Sequence, residues 1–192
     1  MTKERRPPTL TVPLPGGQSR IREAILYVAE RGAGMRFFGA IKLNKIIWRA
    51  DFRSFADRGV PLTGREYRRR YFGPALLEML PVHREMLKDG LIRMERRDFG
   101  DGIVENRTIP LVKPNSATFS QEDLAFLDES IEYFRHMTGD ETSDDSHGVA
   151  WKTRNDGDPM PYDLAYLSDK PLSLPQLLHI EQLIYEKGWI SE

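Results

Sequence analysis

The chain contains no cysteine. A disulfide framework, a thiolate zinc site and a cysteine nucleophile are thereby excluded, and a reducing compartment is the default. Histidine is scarce, with four residues in the chain, and none stands four from another as a helical zinc pair requires. No apolar run approaches the roughly 20 residues that span a bilayer. The opening residues, with Arg5, Arg6, Pro7 and Pro8, lack the apolar stretch of a signal peptide. A cytoplasmic location is therefore expected. There is no phosphate-cradling loop, because Gly32-Ala33-Gly34 is not followed by the lysine and hydroxyl that such a loop needs. Ser19, Ser54 and Ser116 have no glycine and histidine context resembling a nucleophile elbow.

What is present is the composition of a globular protein: 40% hydrophobic and 30% charged residues over 192 positions. The net charge of −1 conceals a division. Residues 1–113 hold 23 basic against 13 acidic side chains, and residues 114–192 hold 5 against 16. Either the acidic part folds back and neutralises the basic part, or the basic part faces phosphate or an acidic partner.

The pattern predicts an α+β fold, predominantly α-helical, with about six helices and a small antiparallel β-hairpin that is winged-helix-like. Residues 1–19 read as an extended arm, in which Thr9 to Val12 could add a strand, ahead of one globular domain over 20–192. Helices are expected from Ile21 to Arg31 with Ser19 as N-cap, and from Ala40 to about Asp57. Another should run from Pro74 to Asp89, kinked or divided at Pro81. Leu91 to Arg97 and Ile103 to Val112 should pair as strands across a glycine turn. Ser120 caps a helix reaching about Met137, and Asp140 to Ser146 reads as a polar loop. Ser146 should cap a short helix holding His147 and Trp151, and Leu174 to Lys187 should form a terminal helix stopped by Gly188.

Three chemistries compete on these elements. Asp144, Asp145, His147, Asp156 and Asp158 are hard ligands near one histidine, so a metal-dependent hydrolase around His147 is one reading. They are spread over two loops, however, and helix capping with His147–Trp151 packing explains the same residues. Asp51 stands between Arg49 and Arg53, where an arginine salt bridge is expected in preference to a general base. Arg65, Arg68, Arg69 and Arg70 interleaved with Tyr67 and Tyr71, with Arg93, Arg96, Arg97 and Arg107 on the wing, could hold DNA phosphates through a recognition helix and wing. No catalytic residue, metal or cofactor is assigned.

Three blocks carry a family resemblance. They are Lys42-Leu43-Asn44-Lys45-Ile46-Ile47-Trp48 with Ala50-Asp51-Phe52, then Leu62-Thr63-Gly64 through Tyr71-Phe72-Gly73-Pro74, then Ser146-His147 with Trp151 and the Gly157 loop. In this order they resemble the Panacea (SocA-like, DUF4065) family over roughly residues 20–165. Trp48 replaces the more usual leucine or tyrosine, and the arm lies outside the shared region. The resemblance implies an antitoxin that neutralises a protein toxin encoded by a neighbouring gene, by direct binding. One branch of the family delivers its toxin to an intracellular protease, which would be a further partner. No membrane is implied, and a DNA-binding regulator is the alternative. The implied partner surface comprises Lys42, Lys45, Trp48, Arg49, Phe52, Tyr67, Arg69 and Tyr71, because aromatics among arginines typify binding hot spots. Phe52 and Phe72 are nonetheless expected in the core. Asp51, Gly64, Gly73, Pro74, Ser146, His147 and Trp151 read as structural motif residues.

Overall fold

The computed structural model describes residues 7–100, 102, 104–167 and 172–187. The expected strand start at Ile103, the helix stop at Gly188 and the arginines Arg5 and Arg6 lie outside the described residues. In chain order the elements are α1 (Ser19–Arg31), α2 (Ala40–Arg58), β1 (Tyr67–Arg70), β2 (Gly73–Leu76), α3 (Met79–Lys88), β3 (Ile92–Asp98) and β4 (Val104–Pro110). They continue with α4 (Gln121–Tyr133), α5 (Gly139–Asp145), α6 (Val149–Lys152) and α7 (Leu174–Lys187). The fold is α+β and mostly helical. Seven helices and two antiparallel hairpins, β1–β2 and β3–β4, are found among the described residues.

Helix α2 is the hub. It packs on α1, α4, α5, α7, β2, β4 and the 3-10 turn Tyr162–Tyr166. Leu43, Ile46, Ile47, Ala50 and Phe55 form its apolar stripe, and all five are buried. Gly59 ends the helix in the left-handed region (φ 73°), its N–H donating to the Phe55 carbonyl at 2.8 Å. Ile21, Ile25 and Val28 bury the facing stripe of α1. Ser19 does not cap α1: its hydroxyl donates to the Gly16 carbonyl at 2.6 Å, and Gln18 takes the cap position.

Three local expectations change. The helix expected from Pro74 begins at Met79, and Pro74 lies in β2 opposite Arg69. Pro81 therefore stands in the first turn of α3, where a missing N–H costs nothing and no kink is needed. The polar loop expected over Asp140 to Ser146 is α5, because Thr138 and Glu141 form a reciprocal capping box. A matching box of Ser120 and Asp123 opens α4, as expected, but α4 ends at Tyr133.

The charge division resolves mainly by pairing within the chain. Arg20 and Arg58 meet Asp123, Arg31 meets Asp128, Arg49 meets Glu129, and Arg69 and Arg70 face Asp156. Of the arm, residues 7–18 form no strand. Tyr162 N–H donates to the Thr9 carbonyl (2.8 Å), and Val12 N–H to that of Gly64 (2.9 Å).

Candidate functional site

The three sequence blocks meet around the β1–β2 hairpin. Asp51, fully buried on α2, accepts from the backbone N–H groups of Leu62 (2.7 Å) and Thr63 (2.6 Å) through one oxygen. Its other oxygen accepts from the Thr63 hydroxyl and from Tyr67 OH (2.7 Å). Among the described residues no arginine bridges it, which corrects the expected salt bridge: the acid is the anchor of a turn and of strand β1. Burial pushes its carboxyl above the ordinary aspartate value, against the pull of those four donors. Gly64, at φ 66°, brings this turn so close to the arm that a Cβ would lie 2.1 Å from the Val12 carbonyl oxygen.

Lys42 and Lys45 are 0% and 2% exposed. Lys45 Nζ donates to the Pro74 carbonyl at 2.6 Å, where Asn44 Nδ2 also donates at 2.8 Å. Lys42 Nζ donates to the carbonyls of Arg36 and Met137. Burial lowers the two ammonium groups to about 8 for Lys42 and about 7 for Lys45. Phe52 is buried against Trp48, Tyr67 and Tyr162. Lys42, Lys45, Phe52 and Tyr67 are therefore removed from the expected partner surface. The Met137 and Pro74 carbonyls that receive the lysines come from segments distant in sequence, and the aromatics fill the space between α2 and the hairpin.

The third block supports the hairpin from beneath. Gly73 (φ 93°) passes so close to Ser146 that a Cβ would lie 2.0 Å from its hydroxyl oxygen. Ser146 ends α5 and donates to the Ser143 carbonyl at 2.6 Å, so it is no N-cap; Gly148 takes that place for α6. His147 and Trp151 stack with centroids 3.8 Å apart, as their spacing led us to expect. Burial, ahead of the opposing Asp144 carboxylate, holds the His147 imidazole below its usual value. Trp151 Nε1 donates to the Arg70 carbonyl (2.8 Å), and the Arg69 guanidinium lies 3.8 Å over its ring. Residues 157–160 run along β1, with Met160 N–H donating to the Tyr67 carbonyl at 2.8 Å.

At the end of this platform Tyr71 and Phe72 form the hairpin tip, 76% and 51% exposed, their rings edge to face. Phe72 is thus not a core residue, because the two-residue turn carries it clear of the sheet. Beside the tip, a cavity of about 360 Å³ opens between α2, α4, α6, α7 and the Tyr162–Tyr166 turn. Trp48 and Arg49 line it, and Arg49 lies 4.1 Å over the Tyr133 ring.

The arginines considered for DNA do not lie on a recognition helix. Arg68 and Arg70 belong to strand β1, on a different hairpin from Arg93, Arg96 and Arg97 of β3. Arg65 pairs with Glu78, Arg68 with Glu66, Arg70 with Asp156, and Arg93 and Arg97 with Glu95. The acidic cluster near His147 is dispersed. Asp145 accepts from Tyr133 OH, Asp158 from Asn155 N–H, and Asp156 faces arginines. Among the described residues no three such groups converge on a metal-sized site, and no helix is long and apolar enough to cross a membrane.

Sequence reasoning missed Tyr133 and Tyr162 as parts of the site, and had Thr63 only as a member of the second block. The alternation of β1 was the available signal for Tyr67, masked by its arginines. No curated protein and no solved structure matches the chain. The model of the antitoxin SocA-like, Panacea domain matches residues 43–152, which hold the three blocks apart from Lys42 and the Gly157 loop. The chain belongs to this SocA-like Panacea antitoxin family.

Proposed function

We propose that this protein neutralises a protein toxin by binding it directly, with the hairpin tip as the principal anchor. The supporting observation is the contrast between base and tip. Asp51, Lys45, Tyr67, Gly73 and Ser146 are buried and satisfied beneath the hairpin, while Tyr71 and Phe72 stand exposed at its end. Aromatics fixed on a rigid support lose little entropy on association and bury a large area, the properties of binding hot spots. Trp48 and Arg49, at the neighbouring cavity, and Arg69, behind the tip, complete the surface. Neutralisation is then steric: the toxin's working surface is covered, with no chemical step.

The test is co-expression with the product of the adjacent gene. Wild-type protein should restore growth that the neighbour alone suppresses, and the double substitution Tyr71→Ala, Phe72→Ala should abolish the rescue while the protein remains folded. Full rescue by the double variant would overturn this surface. Toxin abundance, followed in the same cells, separates two routes. A constant level means steric cover, and a fall means delivery to a protease.

A further inference from the structure

The recess beside the hairpin has no charge to spare. Three charged residues line it, Arg49, Arg53 and Asp145, and each is already engaged within the fold. Arg49 pairs with Glu129 at 3.0 Å, donates to the Ser130 hydroxyl at 3.2 Å, and lies over the Tyr133 ring. Arg53 pairs with Asp57 at 3.3 Å, and Asp145 accepts from Tyr133 OH at 2.8 Å. The uncharged polar groups are turned inward in the same way. Ser146 Oγ donates to the Ser143 carbonyl at 2.6 Å, and Gln176 Oε1 accepts from Ser173 N–H at 2.8 Å. The rest of the side-chain lining is apolar. Phe52, Met160 and Leu164 are buried in the wall, while Val149 (38% exposed) and Leu167 (49% exposed) carry that lining out to solvent. A volume of about 360 Å³ is at the small end of ligand pockets. An ion entering would surrender its hydration and find no free counter-charge, whereas an apolar group gives up only unfavourable contact with water.

From these features we infer that the recess seats one uncharged, apolar side chain of the bound toxin. This rests on the antitoxin reading and adds to it the chemistry of the partner. The short helix α6 makes the recess continuous with the tip. Its Val149 lines the recess, and its Trp151 Nε1 donates at 2.8 Å to the carbonyl of Arg70, the residue before Tyr71. A toxin held on Tyr71 and Phe72 therefore meets the recess on the same face. The tip supplies aromatic anchors to the toxin, and the recess takes an anchor from it. Selection among toxins works by exclusion, because a charged residue at the entering position is left without a partner.

The first arm titrates the full chain with benzyl alcohol, benzylammonium and phenylacetate, which share one ring and differ in charge. The reporter is the indole N–H signal of Trp48, which lines the recess. Benzyl alcohol should bind saturably, and both ions about tenfold more weakly or worse, the loss that a desolvated charge suffers without a new partner. Binding of either ion as tight as that of the alcohol overturns the proposal, and so does the absence of saturable binding. The second arm is the growth assay with substitutions of Val149. Val149→Ile should protect, whereas Val149→Asp and Val149→Lys should both lose protection while keeping the wild-type thermal midpoint. Protection by only one of the charged variants would show that the recess reads the sign of a charge, and the proposal would fall. If both charged variants protect fully while Tyr71→Ala, Phe72→Ala fails, the recess is not the toxin's seat although the antitoxin reading stands. If the wild-type protein itself gives no protection, both readings fall together.

Discussion

Lys45 Nζ donates to the carbonyl of Pro74 at 2.6 Å, joining the central helix to the second strand of the hairpin inside the core. Burial lowers this lysine to about 7 from an ordinary value of 10.5. The unfolded chain therefore binds the extra proton between these values, and stability rises with pH across that window. At about 1.4 kcal/mol per unit of pH per proton, raising pH from 7 to 9 should add about 2 kcal/mol. The neighbouring histidines His83 and His147 are lowered from 6.5, so their contribution falls below this window. Lys45→Met should remove Lys45's share of the gain and leave the smaller rise above about pH 8 that Lys42 supplies, and the Pro74 carbonyl keeps its bond from Asn44 (2.8 Å). Urea unfolding at pH 7 and pH 9 measures it. An unchanged slope in Lys45→Met would show that this lysine is protonated in the fold throughout.

Asp51 is a second buried charge with a different failure. Asp51→Ala deprives four donors, two of them backbone amides of Leu62 and Thr63 that cannot turn elsewhere. At about 1–3 kcal/mol for each unsatisfied amide, the cost should exceed about 3 kcal/mol. Asp51→Asn retains one oxygen for the amides and presents N–H to the two hydroxyls, which can rotate to accept. It should cost about 1 kcal/mol, within the range of a rearranged hydrogen bond. Denaturant midpoints of the two variants decide the matter, and equal losses would argue that the charge itself, and not the acceptor geometry, holds the turn.

The arm and the domain are coupled through Gly64. A Cβ there would lie 2.1 Å from the Val12 carbonyl oxygen, and φ is 66°. Gly64→Ala in the full chain should therefore cost both a backbone strain of about 1–2 kcal/mol and the displacement of the arm. In a chain starting at Pro15 only the strain should remain. The difference between the two losses is the coupling energy of a double-mutant cycle. A vanishing difference would mean that the arm gives way without cost.

These buried charges explain what the sequence could and could not disclose. The stripes of α1 and α2, the β3–β4 hairpin and the bounds of α7 were legible, because each follows from hydrophobic period and from glycine or serine punctuation. Lys42 and Lys45 were not. Their spacing on α2 reads as a solvated face, and the carbonyls of Met137 and Pro74 that receive them are remote in sequence. Strand β1 was hidden for a related reason: Arg68, Arg69 and Arg70 look like surface, yet they are held by Glu66, Asp156 and the Trp151 ring. Helix α5 escaped because its interior is a poor helix former and the capping box that opens it lies mostly outside the polar run.

The same division should appear in how motif variants fail. Tyr71 and Phe72 are largely in solvent, so removing either side chain should change stability by no more than about 0.5 kcal/mol. If they are the toxin's anchors, each should nevertheless weaken binding by about 2 kcal/mol or more, the hot-spot range, which is roughly thirtyfold in affinity. Trp151→Phe should act between these limits. It keeps a ring near Arg69 and His147 but loses the donor to the Arg70 carbonyl at 2.8 Å. The tip would then be held less firmly, and affinity should fall modestly through a faster off-rate. Calorimetric titration of each folded variant with the purified toxin, paired with its thermal midpoint, separates the outcomes. Loss of binding only in proportion to loss of stability would place Tyr71 and Phe72 among the residues that build the fold and remove them from those that meet the toxin.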